Sequence, residues 1–121
     1  MVKSFLLVGL GGSIGAMLRY LIVSMWKTEN FPYNTFLVNI IGSLLIGIVF
    51  AMSEKTDIIN ENLKLFLATG ICGGFTTFST FSAENFQLIK SGEYTIAALY
   101  IFASVAFCIA ATFIGFKIIN N

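Results

Sequence analysis

Four apolar runs, at residues 4–26, 34–52, 63–89 and 94–116, dominate the chain, and only short polar stretches separate them. A helix needs about 20 apolar residues to cross the hydrocarbon core of a bilayer, and each run is close to that length. The links are plainly solvated: Lys27, Glu29 and the only proline, Pro32, lie in the first, and Glu54, Lys55, Asp57 and Glu61 in the second. A short turn at 90–93 makes the third. No room is left for a soluble domain, so residues 1–121 are expected to form one all-α transmembrane domain with four spanning helices. Composition agrees. Charged residues make up 11% and hydrophobic ones 57% of the 121 residues, with a mean hydropathy of +0.89, whereas an average soluble domain is about 25% charged. A soluble core of this length could not hide so much apolar surface.

Several functions are disfavoured at once. A net charge of +1 gives no basic field for nucleic acid. Histidine is absent, which removes the usual zinc ligand and the usual near-neutral general base, and no enzyme is expected. Cys72 and Cys108 both fall inside apolar runs and read as small packing residues, not as a disulfide. Met1-Val2-Lys3 ahead of an apolar stretch imitates a signal peptide. No small-residue cleavage site closes it, however, and the run continues through Arg19 to Trp26, so a retained helix with Trp26 at the interface is expected.

Alternate links fall on opposite membrane faces. Lys3, Lys55, Lys64 and Lys117 gather on one face; Lys27 and Lys90 sit on the other, with Arg19 leaning toward it. The positive-inside rule needs a clearer excess to fix orientation. Two readings stay open: a small protein with few charges to count, or one that inserts both ways round and pairs with its own inverted copy.

Polar residues inside spans are functional candidates by default. Arg19 must snorkel, pair or line water. Asn39 lies in the second span. Tyr100, Ser104 and Cys108 recur every fourth residue and form one stripe of the last helix. Ser43, Thr95 and Thr112 are covered by the bland reading, a hydroxyl bonded back to the carbonyl four residues earlier.

That reading fails for Gly73 to Ser82, GGFTTFSTFS, where two glycines, five hydroxyls and three phenylalanines share ten residues of the third span. Each glycine costs a helix about 1 kcal/mol relative to alanine, and β-branched threonines add crowding. The pattern predicts a break near the bilayer midplane, where freed carbonyls are tolerated only against protein, water or an ion. Beyond it, Phe78 and Phe81 are spaced to stack on one helical face. Close helix packing accounts for glycines such as Gly11, Gly12, Gly15, Gly42 and Gly47, but not for hydroxyls interleaved with rings. A solute pathway is the better expectation. Glu84 is the only carboxylate within a span, near one end of the third, so a proton-coupled cation exporter lacks its central acid. What remains is an arginine, an asparagine amide, hydroxyl donors and positive ring edges. Such a lining suits a small, hard anion.

Three motifs now carry a resemblance. Gly11-Gly12-Ser13-Ile14-Gly15-Ala16-Met17-Leu18-Arg19-Tyr20, Val38-Asn39 with Gly42 and Gly47, and the run Gly70 to Glu84 are together similar to the signature of the Fluc (CrcB) fluoride channels, over essentially the whole chain. The resemblance implies an antiparallel, dual-topology homodimer in the bacterial inner membrane, with two parallel pores exporting fluoride passively for fluoride resistance. By position, Phe78 and Phe81 would contact fluoride through ring edges and Asn39 would point its amide into the pore. Thr77, Ser79, Thr80, Tyr100 and Ser104 would add polar contacts. A structural sodium ion would sit on the backbone carbonyls of Gly73 and Thr76 from both subunits, with Arg19 near a vestibule and Glu84 near a pore mouth. Two departures stand out: Asn34 replaces an expected glycine, with small effect expected, and Cys108 stands where serine often continues the stripe. A structural membrane dimer and a small dual-topology proton-coupled cation exporter are the alternatives.

Overall fold

The computed structural model describes residues 1–120, and every regular element among them is helical. Helix α1 is Val2–Met25 and α2 is Tyr33–Lys55. Residues 61–75 form α3, Phe78–Lys90 form α4, and Tyr94–Asn120 form α5. Helices α3 and α4 share one stretch, Glu61–Lys90, so four stretches are long and apolar enough to cross a membrane. The third is the least apolar, because it carries the hydroxyl-rich segment.

Local chemistry sets the ends. The Asn60 side chain accepts the Leu63 N–H at 2.9 Å and starts α3, with Glu61 in its first turn, as an N-cap and the helix dipole favour. Helix α4 closes on a double turn: the Glu93 N–H reaches Leu88 O at 2.8 Å and the Gly92 N–H reaches Ile89 O at 3.0 Å. That wrap needs a left-handed residue, and Gly92 supplies it at φ 81°. Lys55 donates to Ile119 O at 2.8 Å, placing a cation on the carbonyl end of α5.

Two helix pairs carry the packing: α1 lies along α3, and α2 along α5. Backbones meet at glycines. A Cβ at Gly15 would strike the Ile71 carbonyl, one at Gly74 the Gly12 carbonyl, and one at Gly47 the Thr112 carbonyl. Small residues let helices in lipid approach this closely and gain dispersion energy where no hydrophobic drive exists. Opposite these seams the outer faces are apolar and open; Phe5, Leu10, Met17 and Phe113 are all exposed, as lipid-facing side chains are.

The interruption of the third span differs from the sequence expectation in one respect. Gly73 and Gly74 are helical; Gly74 serves the contact with α1. The chain leaves the helix at Thr76 (φ −82°, ψ 157°) and Thr77 (φ −148°, ψ 122°), near the middle of Glu61–Lys90. Extended backbone suits β-branched residues. Before it, turns over Leu65–Cys72 are widened, and the Gly73 N–H reaches back to Ala68 O. Such π-type turns recur beside functional sites.

Candidate functional site: a neutral cavity beside the interrupted helix

Asn39 on α2 holds the interruption open. Its Oδ1 accepts the Thr77 N–H at 2.8 Å, and its Nδ2 donates to Thr77 O at 3.2 Å. One side chain thus takes both backbone groups of Thr77. In an unbroken helix the Thr77 N–H would bond Gly73 O, and Asn39 removes it. The Thr80 N–H would likewise bond Thr76 O, but it goes to Thr77 Oγ1 at 3.1 Å. The carbonyls of Gly73 and Thr76 therefore lose their helical donors to the side chains of Asn39 and Thr77. Gly74 O is covered by Arg19 Nε at 3.2 Å, a charge-assisted bond on the end of α3.

Asn39, Gly73, Thr76 and Thr77 border a cavity of about 320 Å³ between α2, the interruption and α5, and Arg19 and Gly74 lie outside its wall. Asn39, Thr77, Phe78, Phe81 and Ser104 lie on its wall, with Gly73, Thr76, Ser43 and Cys108. No wall residue bears a formal charge. The Phe78 and Phe81 rings are 5.5 Å apart at 46°. Phe81 is buried, whereas Phe78 is 76% exposed, so the cavity opens on the flank of the chain. Ser104 is 6% exposed, and its Oγ has no hydrogen-bond partner. An unmatched buried hydroxyl in such a wall is costly unless something fills the space in front of it.

Tyr100, although on the same stripe, faces elsewhere. It is fully buried behind Phe81, its ring 4.9 Å away at 62°, and its hydroxyl donates to Glu84 Oε1 at 2.7 Å. Thr35 Oγ1 donates to Glu84 Oε2 at 2.9 Å. Glu84 thus has both oxygens held, outside the cavity wall, and it borders the hollow beneath Glu29 and Glu93. Ser79 and Thr80 lie with Glu84 along a separate surface groove, and Ser79 Oγ is 3.4 Å from Thr77 Oγ1.

Sequence reasoning passed over Thr35 and undervalued Asn34. Thr35, Asn39 and Ser43 recur every fourth residue and face the same side of α2, a polar stripe as readable as that of α5. Asn34 had no such signal. Its Nδ2 donates to Trp26 O at 2.9 Å and to Val23 O at 3.5 Å, and its Oδ1 accepts the Thr35 N–H at 2.8 Å. It ties the carbonyl end of α1 to the start of α2, a larger part than the small effect expected. Thr112 Oγ1 does bond back to Cys108 O at 3.2 Å, and also crosses to Ser43 O at 3.1 Å.

Four spans, glycine-packed in pairs beside an uncharged cavity at an interrupted helix, define a multi-pass membrane protein with a largely apolar recess, dotted with hydroxyls and an amide, that opens on its flank. The family profile described as CrcB-like protein, Camphor Resistance (CrcB), matches residues 6–116, and the chain belongs to the CrcB family. A protein of Phocaeicola vulgatus is 47% identical over 117 residues, covering 94% of this chain and 96% of its own. One of Flavobacterium psychrophilum is 46% identical over 117 residues, covering 94% of each. One of Azobacteroides pseudotrichonymphae is 44% identical over 119 residues, covering 96% and 95%. All three are named fluoride-specific ion channel FluC. Such names are those of ion channels, in keeping with a chain that is not an enzyme. The spans and these bacterial relatives place the protein in the bacterial inner membrane.

Proposed function

We propose that the chain is a passive, fluoride-selective channel that exports fluoride for fluoride resistance, and that it works as an antiparallel homodimer. The carrying observation is the cavity wall. It offers the unpartnered Ser104 hydroxyl, the Asn39 amide and the Phe78 and Phe81 rings, with no carboxylate side chain to repel an anion and no lysine or arginine side chain to trap it. Donors and ring edges replace the water of a small anion, and the absence of a cationic side chain lets it leave again. Near-full-length relatives named as fluoride channels, at 44–47% identity, support the same reading.

The structural sodium ion is proposed at Gly73 and Thr76. Both carbonyls have lost their helical donors, as described above, and oxygen-only donors suit a hard cation. Two oxygens from one chain are too few to sheath it, and Gly73 is exposed, so the matching pair of a second, inverted copy completes the site. The same contact would cover the open flank at Phe78. Ser79 and Thr80 border the route rather than the cavity, and Arg19 and Glu84 flank it. A proton-coupled exporter asks for a free carboxylate in the cavity, whereas Glu84 lies outside it with both oxygens bonded.

The test is efflux. Protein in liposomes loaded with potassium fluoride, with valinomycin added, is followed by a fluoride electrode, with chloride in parallel. Fluoride efflux without chloride efflux is expected, and Phe81→Ile is expected to reduce it sharply while the dimer stays assembled. No efflux from folded, dimeric protein would refute the channel.

A further inference from the structure

Both cysteines of the chain stand on the wall of the neutral cavity, and both are free thiols. Cys72 enters from α3 and is 4% exposed; Cys108 enters from α5 and is half-buried. One turn before Cys108 lies the Ser104 hydroxyl, buried and without a partner, facing the same space. The wall of one cavity therefore carries two sulfurs, an unused oxygen and the rings of Phe78 and Phe81. It holds no imidazole, carboxylate or amine.

We infer that this cavity is a binding site for a soft monovalent cation, of the class of silver(I) or copper(I), held by the Cys72 and Cys108 sulfurs with the Ser104 hydroxyl beside them. Thiolates select soft ions over hard ones. A linear two-sulfur arrangement satisfies silver(I), so no third strong ligand is needed. On binding, each S–H bond breaks as an S–metal bond forms, and each proton leaves to water, with no change of oxidation state. The bound ion and its two sulfurs take up the space that an anion would need to pass. The consequence, block of fluoride efflux, rests on the channel reading; the metal site itself does not.

Silver nitrate in chloride-free buffer is the probe. Titration of the detergent-purified protein, read by silver–thiolate absorption in the ultraviolet, is expected to saturate at about one equivalent per chain. Either Cys72→Ser or Cys108→Ser should abolish tight binding. On the wild type alone, bound silver should protect both cysteines from a small alkylating reagent, read by mass spectrometry. In liposomes, silver should lower fluoride efflux by about tenfold or more, reversed by excess dithiothreitol, and Cys108→Ser protein should keep the same rate with and without it. Undiminished binding in either single variant, or unprotected cysteines, would overturn the site. Binding with unaltered efflux would overturn the block. Absence of efflux before silver is added would refute the channel reading instead and leave the binding result standing.

Discussion

Replacing Asn39 by leucine keeps the bulk of the side chain and removes both bonds to Thr77, at 2.8 and 3.2 Å. A typical internal hydrogen bond contributes about 1 kcal/mol net, and side-chain bonds between membrane helices average about 0.6 kcal/mol. The pair is thus worth about 1–2 kcal/mol. The larger consequence is geometric. With Asn39 gone, the Thr77 N–H is free to take its helical acceptor, Gly73 O, and the helix can heal across Thr76. Thermal unfolding in one detergent should show a loss of about 1–2 kcal/mol relative to wild type. In protein labelled with carbon-13 at glycine carbonyls, the Gly73 signal should move as that carbonyl gains a donor. Fluoride efflux should fall by more than the stability loss explains, because the cavity wall is rebuilt. A stability change within about 0.5 kcal/mol with an unmoved Gly73 signal would refute the idea that Asn39 holds the helix open.

Alanine at Gly15 would meet the Ile71 carbonyl and the Phe75 N–H, whereas at Gly9 it would meet nothing within 4 Å. Gly15→Ala should therefore cost about 1–3 kcal/mol through overpacking and Gly9→Ala should gain up to about 1 kcal/mol of helix propensity, compared by thermal unfolding of the two variants. Asn34→Ala uncovers the Trp26 and Val23 carbonyls and should cost about 1 kcal/mol, with faster proteolytic nicking in 26–33. Glu84→Gln leaves one of the Thr35 and Tyr100 hydroxyls without its acceptor and should cost about 1–2 kcal/mol; in a double-mutant cycle with Tyr100→Phe the losses should be clearly less than additive.

The parts legible in the sequence were those imposed by local chemistry. A bilayer fixes how long an apolar run must be, so the spans could be read by length alone. The stripe Tyr100, Ser104 and Cys108 followed from helical spacing, although spacing could not say that Tyr100 turns away to Glu84 while Ser104 faces the cavity. Gly73 and Gly74 misled because a glycine's cost to a lone helix looks the same whether the chain breaks there or another helix lies against it. In this fold Gly74 has Gly12 against it, and the energy of that contact replaces the lost propensity. The residue that opens the helix is Asn39, 38 positions upstream of Thr77. Its two bonds are tertiary, and no window of local sequence contains both partners. The same holds for Asn34, whose amide serves carbonyls of the preceding helix. The exposed Gly73 carbonyl is therefore a property of two helices together. A substitution in α2 should close it as surely as one in α3, and a glycine-rich third span without an asparagine facing it should stay helical.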